Sequence, residues 1–327
     1  MKTFRHLKST ILALGIILCT NAFAKSYTIR KGGVTYDFTF AELAVKYLES
    51  GDTTYLHKIA ACDGAKHILN HSNWSNGNGK AEQDALPLVK ELLTPREKLL
   101  PNLTRIKQNI RFAKDSIAST NLSQRFALEY LPHGFKFASH LYFTVGYDLG
   151  VAFQNSSSVN LAHSHYLKDP NEMRYYSIHE LHHAGFIITK GYMPSLNVNT
   201  HVQMSELIAY LTHLEGMATY AALDMRTKEH ALGNDNDYVS LQDSTLMKSY
   251  KEEYFEIYRY FKETPNQPVT EDDWNKISIL SDKRRLWYRV GALMALAIDK
   301  KIGRDALTML IAKPSACFID TYLGLKE

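Results

Sequence analysis

From residue 27 onward the chain is mostly a succession of apolar positions at helical spacing, punctuated by polar and Gly/Pro-rich breaks. Stretches 40–49, 52–69, 81–93, 94–121 and 122–130 read as helices. Pro95 suits a first helical position and Pro101 breaks or kinks its helix. Weak alternation over 27–38, around Gly32-Gly33, predicts a short strand or hairpin. The texture changes near residue 137. Stretches 137–146, 150–154 and 159–163 are rich in aromatic and β-branched residues and predict two or three strands, with loops at 147–148 and 155–158. Helical spacing then returns over 171–190, with Asn171 as cap and Gly191 as stop, and over 205–226, starting at Ser205. Further helices are expected at 238–261, at 271–280 behind a capping box of Thr270 and Asp273, at 286–300 and at 304–312. This pattern predicts a mainly α protein with a small β-sheet (α+β), organised as a helical region over 25–134 and a second domain over 135–327.

The first 24 residues are set apart. Lys2, Arg5 and Lys8 precede an apolar run over 11–18, and Ala22-Phe23-Ala24 forms a cleavage site, so 1–24 reads as a signal peptide cut after Ala24. The run is too short to span a bilayer, and no later stretch approaches a span, so no stable membrane insertion is expected after cleavage. The expected location is periplasmic or secreted. The leader carries three basic and no acidic residues, which takes the net charge from +4 to +1 and leaves no case for a nucleic-acid partner. Cys62 and Cys317 remain after cleavage; in an oxidising compartment they form one disulfide or stay as buried thiols.

Candidate chemistry centres on His179-Glu180-Leu181-His182-His183, an H-E-x-x-H sequence. A helix turns about 100° per residue, so His179 and His183 share a face and can hold one Zn²⁺ at about 2.0–2.1 Å each. Glu180 beside them is placed to take a proton from an activated water. Catalytic zinc usually has three protein ligands, and a carboxylate from the following helix completes the set. Glu215 is preferred to Glu206, which lies about 180° away round that helix. Gly216 is expected to let the two helices approach closely. His182 and His213 read as supporting or cleft-lining groups, and His57, His67 and His71 as surface residues. His163 and His165 alternate onto one side of the last strand, whose segment 159–162 is assigned as the sheet edge beside the site. The aromatic stripe Tyr250, Tyr254, Tyr258 and Phe261 reads as core.

His179-Glu180-x-x-His183 followed by Glu215-Gly216-x-Ala218-x-Tyr220 resembles the gluzincin, peptidase-MA-like group of zinc metallopeptidases. The layout over about 135–320 also resembles an uncharacterised bacterial family to which zinc-dependent peptidase activity is ascribed. The resemblance implies a zincin-like catalytic domain, one Zn²⁺ per chain on His179, His183 and Glu215, Glu180 as general base and acid, and a peptide or protein substrate. Tyr288-Arg289-Val290-Gly291 resembles the Tyr-x-x-Gly segment of several gluzincins, which implies an oxyanion donor at Tyr288; Arg289 is a candidate for binding a substrate carboxylate. No specificity signature accompanies these motifs. The competing expectations are a catalytically silent zinc-binding protein and a metal-free interaction protein of the cell envelope.

Overall fold

The computed structural model describes residues 27–77 and 82–325. The leader expected at 1–24 lies outside them. The chain is mainly helical, with one mixed five-stranded sheet in the order β1-β2-β3-β5-β4. β1 (Thr28–Lys31) and β2 (Val34–Asp37) form the expected hairpin, with Gly32 and Gly33 at positive φ. β3 (Ser139–Thr144) runs parallel to β2, β5 (Ser156–Asn160) runs parallel to β3, and β4 (Gly150–Phe153) pairs antiparallel on the outside of β5. The texture change near residue 137 therefore marks the chain's second entry into the same sheet, and one hydrophobic core runs from Val34 to Tyr322.

Two strand expectations need correction. Only Asn155 of the expected loop at 155–158 lies in a turn: Ser156, Ser157 and Ser158 are buried in β5, whose small side chains suit a strand lying between two others and beneath a helix. The edge beside the cleft is β4, and segment 159–162 is not an edge, because β5 is paired on both sides.

The motif helix, Glu172–Lys190, packs on β4 and β5 and ends at Gly191 in the left-handed conformation expected of a stop. Its residues Ser177 to Ile187 are all buried, so it is a central helix with its polar motif turned inward. Asn171 sits at its start without a capping bond from its side chain. The next helix, His201–Lys228, begins earlier than Ser205, because Thr200 and Gln203 form a reciprocal capping box. The stretch 238–261 is two helices, Asn236–Leu241 and Ser244–Glu263, the second capped by Asp243. Tyr254, Tyr258 and Phe261 are core, as the stripe predicted, and the Thr270/Asp273 capping box is present.

Two buried contacts fix the long helix in place, one to the motif helix and one to the helix Leu286–Ile302. Arg226, fully buried, donates to both oxygens of Glu172 at 2.9 and 2.5 Å and lies between the rings of Tyr175 and Tyr238. This clamps the start of the motif helix to the end of the long one. The second contact is between glycines. A Cβ on Gly216 would lie 2.4 Å from Gly291 Cα, and one on Gly291 would lie 2.6 Å from the Thr212 carbonyl oxygen. The close approach that Gly216 permits is thus to the helix Leu286–Ile302, not to the motif helix. Overpacking of this kind costs about 1–3 kcal/mol. Gly216→Ala is therefore expected to lower Tm by several degrees and to weaken zinc retention by shifting its neighbour Glu215. A thermal melt with metal titration checks this, and an unchanged Tm refutes the tight crossing.

Cys62 and Cys317 are free and half-buried, so the disulfide alternative is not realised. Burial pushes the Cys62 thiol up to about 11, which keeps it protonated and unreactive.

Candidate metal centre

His179 and His183 stand one turn apart on the motif helix, with ring centroids 4.4 Å apart and planes at 85°. Glu215 arrives from the neighbouring long helix, with its Oε2 3.3 Å from His179 Nε2 and 3.0 Å from His183 Nε2. Tetrahedral zinc with bonds of about 2.0–2.1 Å requires donor atoms about 3.3–3.4 Å apart, so this spacing and donor chemistry fit the ion. The three donors lie within 4.8 Å of one another. Glu206, the rival carboxylate, is exposed and lines a separate groove with Tyr192 and Lys262. That groove is the larger, about 580 Å³ against about 190 Å³ for the cleft over the histidines, but it contains none of the clustered donors.

Protonation is suited to binding a cation. Burial, reinforced by the neighbouring His183, pushes His179 down to about 4, so its imidazole is neutral at pH 7. Burial alone would raise the Glu215 carboxyl, but His183 and the contacts to both imidazoles outweigh it and hold the group below the usual carboxylate range. A second cluster, His165 with Glu172 and Asp235, also meets the distance criterion. Its acids are already engaged: Arg226 takes both Glu172 oxygens, and Tyr176 donates to Asp235 at 2.6 Å.

Glu180 is buried beside the triad, and its Oε2 has no hydrogen-bond partner among the described residues. Burial, then the nearby Glu215 and Asp148, push its carboxyl well above the ordinary range, the direction that suits a group taking up and returning a proton. Gly150 of β4 makes room for it, since a Cβ there would lie 2.6 Å from Glu180 Oε1. The Tyr288 ring stacks toward His179 with centroids 6.1 Å apart and planes at 14°. Burial, followed by Glu215, raises its phenol well above its usual value, so the hydroxyl stays protonated and able to donate. Tyr288 and Glu215 meet at one cleft because the glycines beside them, Gly291 and Gly216, bring their helices into backbone contact.

Several expectations change. His67 and His71 are not surface residues. The helix Asp63–Ser75 packs on the sheet, burying His67 against the Val151 carbonyl, while His71 contacts the Tyr147 hydroxyl at 2.9 Å and lines the cleft. Trp74 of the same helix also lines the cleft and donates to the Pro194 carbonyl at 2.9 Å. His163 caps a short helix and is not on a strand; neither it nor His165 lines the cleft. His182 points away and donates to the Tyr130 carbonyl at 3.1 Å. His213 is buried among Phe186 and Phe318. Neither of these two faces the cleft. Arg289 is held by Asp237 at 2.9 Å and by the Tyr250 hydroxyl at 3.2 Å, and it is Arg285 that reaches the cleft.

A family model described as "Putative zinc dependent peptidase (DUF5700)" matches residues 56–325. No curated protein and no solved structure matches the chain.

Proposed function

The chain belongs to this DUF5700 family, and from that premise we propose that it is an exported peptidase with a zincin-like catalytic domain, using one zinc held by His179, His183 and Glu215 and a glutamate base. The observation that carries the reading is the convergence of His179, His183 and Glu215, with Glu215 at tetrahedral spacing from both imidazoles, beside a buried carboxylate oxygen without a partner among the described residues. Zinc in such a site polarises the scissile carbonyl and acidifies water. Glu180 takes the proton from a water in the cleft as the water oxygen adds to the acyl carbon. It then passes that proton to the leaving nitrogen as the C–N bond breaks, and the second water proton follows, leaving a carboxylate and an ammonium. Tyr288 donates a hydrogen bond to the developing oxyanion. The outer edge of β4, beside Glu180, offers backbone groups to an extended substrate. The signal-peptide pattern read in residues 1–24 supports export, and no described helix is long and apolar enough to cross a membrane.

The test is metal content and peptide hydrolysis on the purified chain from Lys25 onward. The expected result is one zinc per chain, with cleavage of a peptide library that stops on chelation and returns with added zinc. Absence of stoichiometric zinc after reconstitution rejects the metal, and zinc without cleavage of any peptide amide rejects the activity.

A further inference from the structure

The cleft contains one lysine or arginine among its described lining residues, Arg285, and the mechanism above does not use it. Its guanidinium lies over the Tyr288 ring, 3.7 Å from the centroid, and donates its Nε–H to Asp237 Oδ2 at 2.8 Å. The two terminal amino groups make no hydrogen bond among the described residues. A guanidinium carries five N–H donors in a planar fork, so the part that matches a carboxylate in bidentate fashion is left over.

The local charge points the same way. Asp237 is shared: its Oδ1 accepts from Arg289 at 2.9 Å while its Oδ2 accepts from Arg285. One carboxylate facing two guanidiniums leaves one positive charge uncompensated. Glu180, Glu215 and Asp148 are the other acids lining the cleft. Glu215 is engaged by zinc in the loaded enzyme, Glu180 is committed to the proton, and Asp148 lies on the loop before β4, where its Oδ1 accepts from the Leu149 amide. The backbone is also particular. Arg285 has φ 50° and ψ 45°, a left-handed conformation that is unfavourable for a non-glycine residue and persists where surroundings enforce it. It opens the helix that carries Tyr288. The cleft is small, about 190 Å³, below the roughly 300–1,000 Å³ of ordinary small-molecule pockets, which suits the end of a chain better than its middle.

We propose that Arg285 docks the free α-carboxylate of the substrate, so that the enzyme acts on short peptides or peptide ends cut close to the carboxyl terminus. This rests on the zinc-peptidase reading. Asp237 and the Tyr288 ring hold the guanidinium in place, and the fork receives the carboxylate while the preceding amide lies over the metal donors.

The test separates the two readings by using binding without turnover. The probes are a mercaptoacyl amino acid, whose thiol is a zinc ligand, and its carboxamide, titrated into zinc-loaded wild type, Arg285→Gln and Arg285→Lys. Zinc content and Tm are measured on the same samples. The wild type is expected to prefer the free acid by about thirtyfold or more, the loss that follows removal of one partner from a hydrogen-bonded buried charge pair. Arg285→Gln is expected to abolish the preference with zinc retained, and Arg285→Lys to keep a reduced one, since an ammonium supplies charge without the fork. Equal affinity for acid and amide in the wild type, binding of neither, or a preference surviving in Arg285→Gln overturns the proposal. Efficient cleavage of long peptides amidated at the carboxyl end would also overturn it while leaving the peptidase reading intact. Acid preference without any peptide hydrolysis would support the docking residue and remove the peptidase.

Discussion

Glu180→Gln is expected to reduce peptide turnover by about 10²–10⁴-fold while zinc remains at one per chain. The two effects separate because of where the residue stands. Glu180 is not among the three clustered donors, so its replacement removes no metal ligand. Its Oε2 has no hydrogen-bond partner among the described residues and is shielded from solvent, so glutamine loses no described contact there. Glutamine is also nearly the same size, which matters because Gly150 leaves only enough space for the present side chain. What glutamine lacks is a basic oxygen. An uncharged amide in place of a buried carboxyl is moreover no burden on folding, because burial disfavours the charged form. The variant should therefore melt at or slightly above the wild-type temperature. Zinc content, Tm and turnover measured on one preparation check the claim. Turnover within about threefold of wild type would move the base elsewhere on the cleft wall, with His71 and Asp148 the next side chains to replace.

The convergence of His179 and His183 is legible because helical periodicity relates them without any knowledge of tertiary structure. The same periodicity separates Glu215 from Glu206: of two carboxylates on one helix, nine residues apart, only one can share a given side. The glycine pair shows where this kind of reading stops. Gly216 does signal a close helix contact, but periodicity on one helix cannot say which neighbour comes close, and the neighbour is Gly291. His71 and Trp74 reach the cleft from a helix more than 100 residues upstream of the motif, and no local spacing relates them to it. The serines of β5 resemble turn residues in sequence, yet between two partner strands and under a packed helix small side chains are an advantage. The Tyr288-Arg289-Val290-Gly291 resemblance points to Arg289 and carries no signal for Arg285. Asp237 binds both, and it is Tyr250 that draws Arg289 away from the cleft.

Removing Glu215 is expected to cost the protein its zinc and, with it, part of its stability. The two imidazoles that remain fall short of the three protein ligands a catalytic zinc normally has. In Glu215→Ala, as in His183→Ala, stoichiometric zinc should be absent after dialysis against buffer in which the wild type retains one ion. Ligand binding to the folded state stabilises by RT ln(1 + [L]/Kd), about 4 kcal/mol when free zinc is 1,000 times Kd. The wild type should therefore melt several degrees higher with zinc than with chelator, and neither variant should show the difference. Glu206→Ala is the matched control. Its carboxylate is exposed and lies in the other groove, so that variant should keep both the zinc and the zinc-dependent rise in Tm. The comparison discriminates because Glu215 joins the histidines from a different helix: its loss should remove the metal without disturbing the His179–His183 spacing, which is internal to the motif helix. If Glu215→Ala keeps its zinc while His183→Ala loses it, the third donor lies elsewhere on the cleft wall, and His71 is the side chain to replace next.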